Sequence, residues 1–481
     1  MLLKTSKFFL YTSVFAVLVV MTSTFFPFIG GFFPFIGGKD YFFRLSVELA
    51  LVCFLLWWAF EAREGEAAVL VRKAYGKPIF VAVSVFVFVF LLATLFAYDP
   101  RSAFWSNYER GEGGFQMIHY YLFFALLALL FNKEEDWRRL FKTSLIAASL
   151  MILYGIFANL GWADNFISPY QGGTPPQGLW RRLTEARFQG SLGNPAYVAP
   201  YLLFSLFYLV YLWVGDRSKN KSLSHLGYGI LGAVFLFFFV LSQTRGALLG
   251  LGAAILAFLL YFVWTGIIPR LRSWFVLFLA AVIVLGGSLI YYRNSEFVKK
   301  LPGGRIFDIS FSEQTVSTRL WTWGSAWHGF KERPLLGWGA ENFSAVFDKY
   351  FDPRHFVPGK NTETWFDRAH SLYFDALAET GILGFLGYFG IFGVIFWQFI
   401  RKRSGSAESA QLTAGKRGGN VGAQAGGASF GRAAEMALVL ALPVGYLVQG
   451  LAIFDVFPVY INTFLFFAFC HYYFSIRFTQ Q

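Results

Sequence analysis

Apolar runs close to twenty residues long recur twelve times along the chain, at about 8–26, 44–60, 79–97, 115–131, 143–161, 196–214, 226–243, 246–265, 273–292, 371–400, 436–454 and 456–475. Each is long enough to cross the hydrocarbon core of a bilayer as a helix. The pattern predicts an all-α integral membrane protein with about 12 transmembrane helices and one long, partly helical outer loop before the tenth span. Between the first two runs the heptad FFPFIGG occurs twice in tandem (25–31 and 32–38), where Pro and paired Gly break a helix. It reads as a membrane-dipping loop or a duplication and is assigned no function. Lys4 and Lys7 ahead of an apolar run resemble a signal peptide. With no small-x-small cleavage site and further spans following, this is expected to be a retained first span.

Two segments differ from the short connectors, and with them the chain divides into spans one to nine (1–292), an outer loop (293–370), span ten (371–400), a linker (401–435) and spans eleven and twelve (436–481). The linker is basic and rich in Gly, Ala and Ser; it has too little apolar area to form a core and is expected to be disordered. The outer loop is the reverse. Phe343, Val346, Phe347, Tyr350 and Phe351 recur at i, i+3, i+4, i+7 and i+8, as in an amphipathic helix. Trp323, Trp327 and Phe330 share a helical face upstream, before Pro334 ends it. Such aromatic helices are expected at the membrane–water interface, capping what the spans enclose.

Composition agrees with the span pattern. Hydrophobic residues make up 56% of the chain and charged ones 14%, too little polar surface for a soluble protein of 481 residues. The net charge of +13 comes from 41 Lys and Arg against 28 acids. If both termini lie in the cytoplasm, the inner segments hold 22 Lys/Arg and the outer ones, leaving aside the long loop, 8. That is the positive-inside bias. The basic excess therefore belongs to membrane flanks and lipid headgroups, not to nucleic-acid binding. Cys53 and Cys470 both lie in apolar runs and supply neither a disulfide framework nor a metal site.

The outer side of such a membrane offers no ATP, and the chain has no phosphate-binding Gly-rich loop, His-Glu-x-x-His or Asp-x-Asp. An enzyme there needs a substrate already activated in the membrane, for which a lipid-linked pyrophosphate qualifies. That reaction needs cations for the leaving group and a base for the attacking one. Arg245, in the tight reversal Thr244-Arg245-Gly246, either faces a cavity or snorkels to headgroups. Arg319 opens the Trp-rich helix, as a solvated residue or as a forked phosphate ligand. His370 sits where the outer loop meets span ten; an imidazole with a reference pKa of about 6.5 is able to take a hydroxyl proton at neutral pH. Asp375 and Glu379 follow at i, i+4 on one face of that span, as site carboxylates or as structural partners. Arg187 and Arg110 are further outer cations. Gly381, Gly384, Gly387, Gly390 and Gly393, spaced by three, predict a helix-packing ridge.

His370-Ser371, nine residues, then Gly381-Ile382-Leu383-Gly384 resembles the His-Asn/Ser-x9-Gly-x-x-Gly pattern of the O-antigen ligase family, whose superfamily also holds O-antigen polymerases and protein O-oligosaccharyltransferases. Ser242-Gln243-Thr244-Arg245-Gly246 resembles the family's Arg-bearing turn. Arg319 to Trp323 and Pro334 to Gly339 resemble the start of its outer loop. Fainter echoes are 104–111 and 190–195, so the resemblance runs over about 100–400. Ser371 departs from the commoner Asn.

The resemblance implies an inverting glycosyltransferase without metal or other cofactor, in the bacterial inner (plasma) membrane, with its active site facing the periplasm and its role in lipopolysaccharide biosynthesis. The implied donor is an undecaprenyl-pyrophosphate-linked glycan, and the acceptor a lipid A core glycolipid or a growing glycan. Arg245 and Arg319 would grip the pyrophosphate and His370 would activate the acceptor hydroxyl. Polymerase and protein O-oligosaccharyltransferase activities share that donor site. A proton-coupled transporter using Asp375 and Glu379 is the reading from another class; twelve spans suit it, but the two halves show no internal repeat.

Overall fold

The computed structural model describes residues 1–21, 34–107, 111–165, 176–216, 218, 220–265, 269–300, 314–356, 364–414 and 422–477. All regular structure among them is helical. Among the described residues, nine helices are long and apolar enough to cross a membrane: Gly37–Glu61, Pro78–Leu95, Glu134–Asn159, Pro195–Val214, Lys221–Leu241, Arg245–Thr265, Ser273–Tyr291, Leu372–Lys402 and Phe430–Gln449. Of the other three expected positions two are helical, and the first, 8–26, is helical as far as Leu18, with 22–26 outside the described residues. Leu2–Ser13 runs into a 3₁₀ turn at Val14–Leu18, Gly114–Leu130 is a shorter apolar helix, and Phe457–Ser475 completes the set. The chain is a multi-pass, all-helical membrane protein.

The helices begin where the sequence supplies a cap. Pro78, Pro100 and Pro195 stand in first turns, where a missing N–H costs nothing. Asp99 accepts from the amides of Arg101 and Ser102, Asn194 from Ala196 and Asn220 from Leu223.

Contacts group the helix ends into two sets. At one end the terminal amine meets Glu61 at 2.9 Å, Lys7 meets Asp136 at 2.6 Å and Arg477 meets Glu435 at 2.9 Å. At the other, Ser191 donates to Val17 O, Lys39 to Val19 O and the Phe457 amide to Glu112. Both described chain ends thus lie at one end of the bundle, and the long loop at the other.

Phe457–Ser475 runs through the middle, with nearly every side chain buried. Phe469 packs against Trp137, Phe141, Phe207 and Tyr211. Asn462 lowers this helix's hydropathy, yet it is satisfied from within, accepting from Tyr208 at 2.8 Å and donating to Pro458 O. Ser273–Tyr291, in contrast, buries nothing within the protein, and its apolar side chains point outward. The most enclosed helix is therefore not the most apolar one, because lipid demands apolar side chains and a protein interior does not.

The spacing-of-three glycines do not form the expected ridge. Gly381 interrupts its helix with φ 63° and ψ −167°, a backbone region open essentially to Gly alone. A β-carbon at Gly387 would touch Phe86 at 3.3 Å, whereas Gly390 and Gly393 face open space. The close glycine crossing lies elsewhere: a β-carbon on Gly250 would sit 2.5 Å from Gly445 O, and one on Gly445 2.7 Å from Gly250 O. Span 245–265 therefore packs on span 430–449 at backbone contact.

Of the tandem heptads, residues 25–33 lie outside the described residues, while Gly37 and Gly38 begin the second span. In 401–435 the backbone is helical up to Ala414 and again from Gly422.

Candidate functional site

The break at Gly381 creates a docking edge. Without helical partners at the break, Ala378 O and Glu379 O accept from the amides of Trp338 and Gly339 at 2.9 and 2.8 Å. Past the break, the amides of Ile382 and Leu383 donate to Pro334 O and Leu335 O at 2.8 and 3.2 Å. Pro334 to Gly339 is thereby stapled across the broken span, and both partners need Gly at the contact. A β-carbon on Gly381 would lie 2.4 Å from Leu335 C, and one on Gly337 2.5 Å from Glu379 C. Two sequence patterns separated by some forty residues are thus one structural unit.

Around this staple the outer loop forms its own small core. Phe343, Val346 and Phe347 of helix Phe343–Lys349 bury against Ala326, Trp338 and Phe366. Tyr350 and Phe351, expected on the same helix, fall just beyond its end. Helix Gln314–Glu332 carries Arg319 and, one turn on, Trp323. Trp323 donates from its indole to Ala369 O at 3.0 Å and stacks on Phe374 at 5.1 Å. Arg319 is therefore on a helix anchored directly beside His370.

His370 takes φ 55°. Its ring lies edge-on between Phe366 at 5.3 Å and Phe454 at 5.0 Å, and Nδ1 meets Arg368 O at 3.1 Å. A carbonyl only accepts, so Nδ1 carries a proton, and whenever the ring is neutral its lone pair is on Nε2. Among the described residues, the non-Gly positions with positive φ are Ser106, Gln243, Glu341 and His370, and all four lie at the loop end. Strain of about 1–3 kcal/mol per residue persists only where surroundings enforce it, and such residues gather at functional sites.

Arg245 begins its span two residues after Gln243. A β-carbon on neighbouring Gly246 would touch Ala452 and Ile453 at 3.2 Å. The 450–453 turn in turn accepts the Leu372 amide at Gly450 O, 2.8 Å, and Ile453 O, 3.2 Å. One turn therefore abuts both the Arg245 and the His370 segments. Arg187 joins the same neighbourhood: the Phe188 amide donates to Leu241 O at 3.0 Å, and Thr244 Oγ1 to Pro195 O at 3.0 Å. Arg110 lies outside the described residues.

Asp375 and Glu379 do share a face, both buried, and both are engaged. Asp375 Oδ1 accepts the Ala369 amide at 2.6 Å. Glu379 is forked by Arg368 Nη1, its two oxygens at 2.7 and 2.8 Å. Arg368 also meets Glu341 in a very short contact and Glu112 at 3.5 Å. Burial opposes the charge on Arg368, but Glu341, Glu379 and Glu112 outweigh it and hold the guanidinium protonated, above the ordinary arginine value. Below this group lies a cavity of about 40 Å³ lined by Arg368, Asp375, Glu379, Tyr388, Asp455 and Tyr460, room for a water or so.

The sequence reading missed Arg368, Glu112 and Glu341. One signal was available: Arg368 stands two residues before His370 in a loop otherwise rich in aromatics, and Glu112 follows directly on the 104–111 echo. Nothing in the one-dimensional pattern pairs them.

Residues 230–389 match a family model described as O-antigen ligase. The match contains Arg245, Arg319, His370, Asp375 and Glu379 and leaves out Arg110 and Arg187. No curated protein matches the chain. The matched region, about a third of the chain, is thus similar to the O-antigen ligase family, in agreement with the superfamily the motifs resemble.

Proposed function

We propose that this protein transfers a glycan from a polyprenyl-pyrophosphate donor to an acceptor hydroxyl at the loop end of the bundle, facing the periplasm of a bacterial inner membrane. The observation that carries the reading is His370: its Nδ1–H is tied to Arg368 O, which leaves Nε2 as a base. Nε2 takes the acceptor O–H proton as the oxygen attacks the anomeric carbon. The bond from that carbon to the phosphate oxygen breaks, and its electron pair leaves with the lipid pyrophosphate. In-line displacement inverts the anomeric centre. Arg245 and Arg319, with Arg187 as a further cation, meet the charge that develops on the leaving group, as guanidiniums suit forked phosphate contacts. Charge neutralisation by guanidinium removes the need for a metal ion.

The transporter reading asks Asp375 and Glu379 to shuttle protons. Their engagement with Ala369 N–H and Arg368 favours a structural role instead.

The test supplies purified protein with lipid-pyrophosphate-linked glycan, in parallel with lipid A core or further donor, in the presence of EDTA. Transfer to lipid A core that survives EDTA supports ligase activity, and longer glycan from donor alone makes the enzyme a polymerase. Absence of product with each acceptor, a peptide included, from well-folded protein would sink the reading.

A further inference from the structure

Three acids at the loop end are gathered on one buried residue that the transfer reaction does not use directly. Arg368 draws together Glu379 from the broken span, Glu341 from the outer loop and Glu112 from the segment before helix Gly114–Leu130. Two of the three acids are fixed a second time by backbone. Glu379 Oε1 accepts the Glu341 amide at 3.2 Å, and Glu112 Oε1 accepts the Phe457 amide at 2.6 Å. Asn107 reaches Glu341 at 3.4 Å, which closes the ring on the 104–111 side. Two of the left-handed non-Gly residues adjoin Arg368, Glu341 through its contact with the guanidinium and His370 two positions along the chain.

We infer that Arg368 is a positioning residue for His370, its side chain anchoring the backbone carbonyl that selects the imidazole tautomer. Arg368 O is the acceptor of His370 Nδ1–H, so a shift of the Arg368 backbone releases that proton. An imidazole without this bond distributes its proton between both nitrogens, and the fraction carrying it on Nε2 is useless as a base. Forked contact to Glu379 and reach to Glu341 need a guanidinium; an ammonium is a single point of charge on a flexible stem and holds one partner at a time. Asp375 supports the same segment from below through the Ala369 amide. The inference rests on His370 serving as the base, but its structural half stands apart from any activity.

The experiment uses the full-length protein with ¹⁵N-labelled histidine, the His370 signals being assigned by their loss in His370→Ala. Above the histidine titration range, wild type is expected to show Nδ1 protonated and Nε2 bare. Arg368→Gln is expected to show both tautomers, with Arg368→Lys in between. In transfer assays the same variants lower kcat about 10- to 100-fold, the range for partners that orient a site group, while donor KM holds. Arg477→Gln, at the opposite end, controls for loss of stability alone and leaves the tautomer unchanged. If Arg368→Gln does not fold, Glu379→Gln and Glu341→Gln put the same question with smaller losses. A His370 that keeps Nε2 bare in these variants overturns the inference. Failure of transfer in wild type with the tautomer shift intact would instead count against the proposed reaction alone.

Discussion

Arg477 and Arg368 are both guanidiniums withdrawn from water, and both are held by glutamates from distant parts of the chain, at opposite ends of the same bundle. Arg477 pairs with Glu435 at 2.9 Å and Glu134 at 3.8 Å and donates to the Tyr211 hydroxyl at 2.8 Å. Those partners sit on regular helices or their ends, so the cluster stitches together helices that would pack without it. Arg368 binds non-helical backbone instead: a residue at φ 62°, the segment before a helix, and a span about to break at Gly381. The chemistry is the same. What differs is whether the elements it joins have another reason to stay where they are. Where they have, the ion pair only adds stability; where they have not, it defines a geometry.

The sharpest separation of the two ends is through turnover. His370→Ala is expected to lower transfer by about 10²–10⁴-fold, the worth of a general base, with protein level and membrane insertion retained. A full-rate His370→Ala enzyme would remove the functional difference between the ends. Arg319→Ala should also reduce transfer, by roughly 10²–10³-fold if it stabilises the leaving charge, whereas Arg477→Ala should leave kcat near wild type.

Stability gives the next test. Arg368→Gln strands Glu341, Glu379 and Glu112 without their cation and should cost about 3–5 kcal/mol. Arg477→Gln leaves better-solvated acids and should cost less, about 1–3 kcal/mol, in thermal unfolding followed by tryptophan fluorescence. Equal losses would mean that the two clusters do one job. Gly381→Ala is smaller again: the forced φ costs about 1–3 kcal/mol and the contact with Leu335 adds to it, while Gly390→Ala, facing open space, should be neutral or slightly stabilising. The pair shows whether the break or mere glycine content matters.

The smallest effect concerns pH. His355 is enclosed by Trp321, Phe347, Phe351 and Phe366 in the outer loop. Burial there pushes its pKa below 6.5, with Asp352 opposing. The folded state therefore prefers the neutral ring. Its contribution is fully present above pH 6.5 and is lost as pH falls through the lower folded value. Thermal unfolding between pH 7 and pH 5 should soften more in wild type than in His355→Phe; parallel curves would show that this histidine is not what acid attacks.

The spans were legible because lipid imposes a one-dimensional rule, a run of apolar residues of fixed length, and among the described residues nine of the twelve expected runs are helices long and apolar enough to meet it. The placing of His370, Arg245 and Arg319 at one end followed from counting crossings. The glycine ridge was misread because a repeat of three looks the same whether it packs a helix or breaks one. Only the contact with Pro334 to Gly339 distinguishes Gly381 from Gly390.

What the sequence determined by itself is an all-helical, multi-pass architecture, the outer loop near which the candidate chemistry gathers and the family that residues 100–400 resemble. Tertiary structure decided which residues answer one another across the fold. Arg368 finds Glu112, 256 positions away, only because helices Gly114–Leu130, Leu372–Lys402 and Phe457–Ser475 pack together. Periodicity records how a residue faces its surroundings, lipid or protein. It carries no record of the partner, since a buried charge has no preferred sequence distance from the charge that satisfies it.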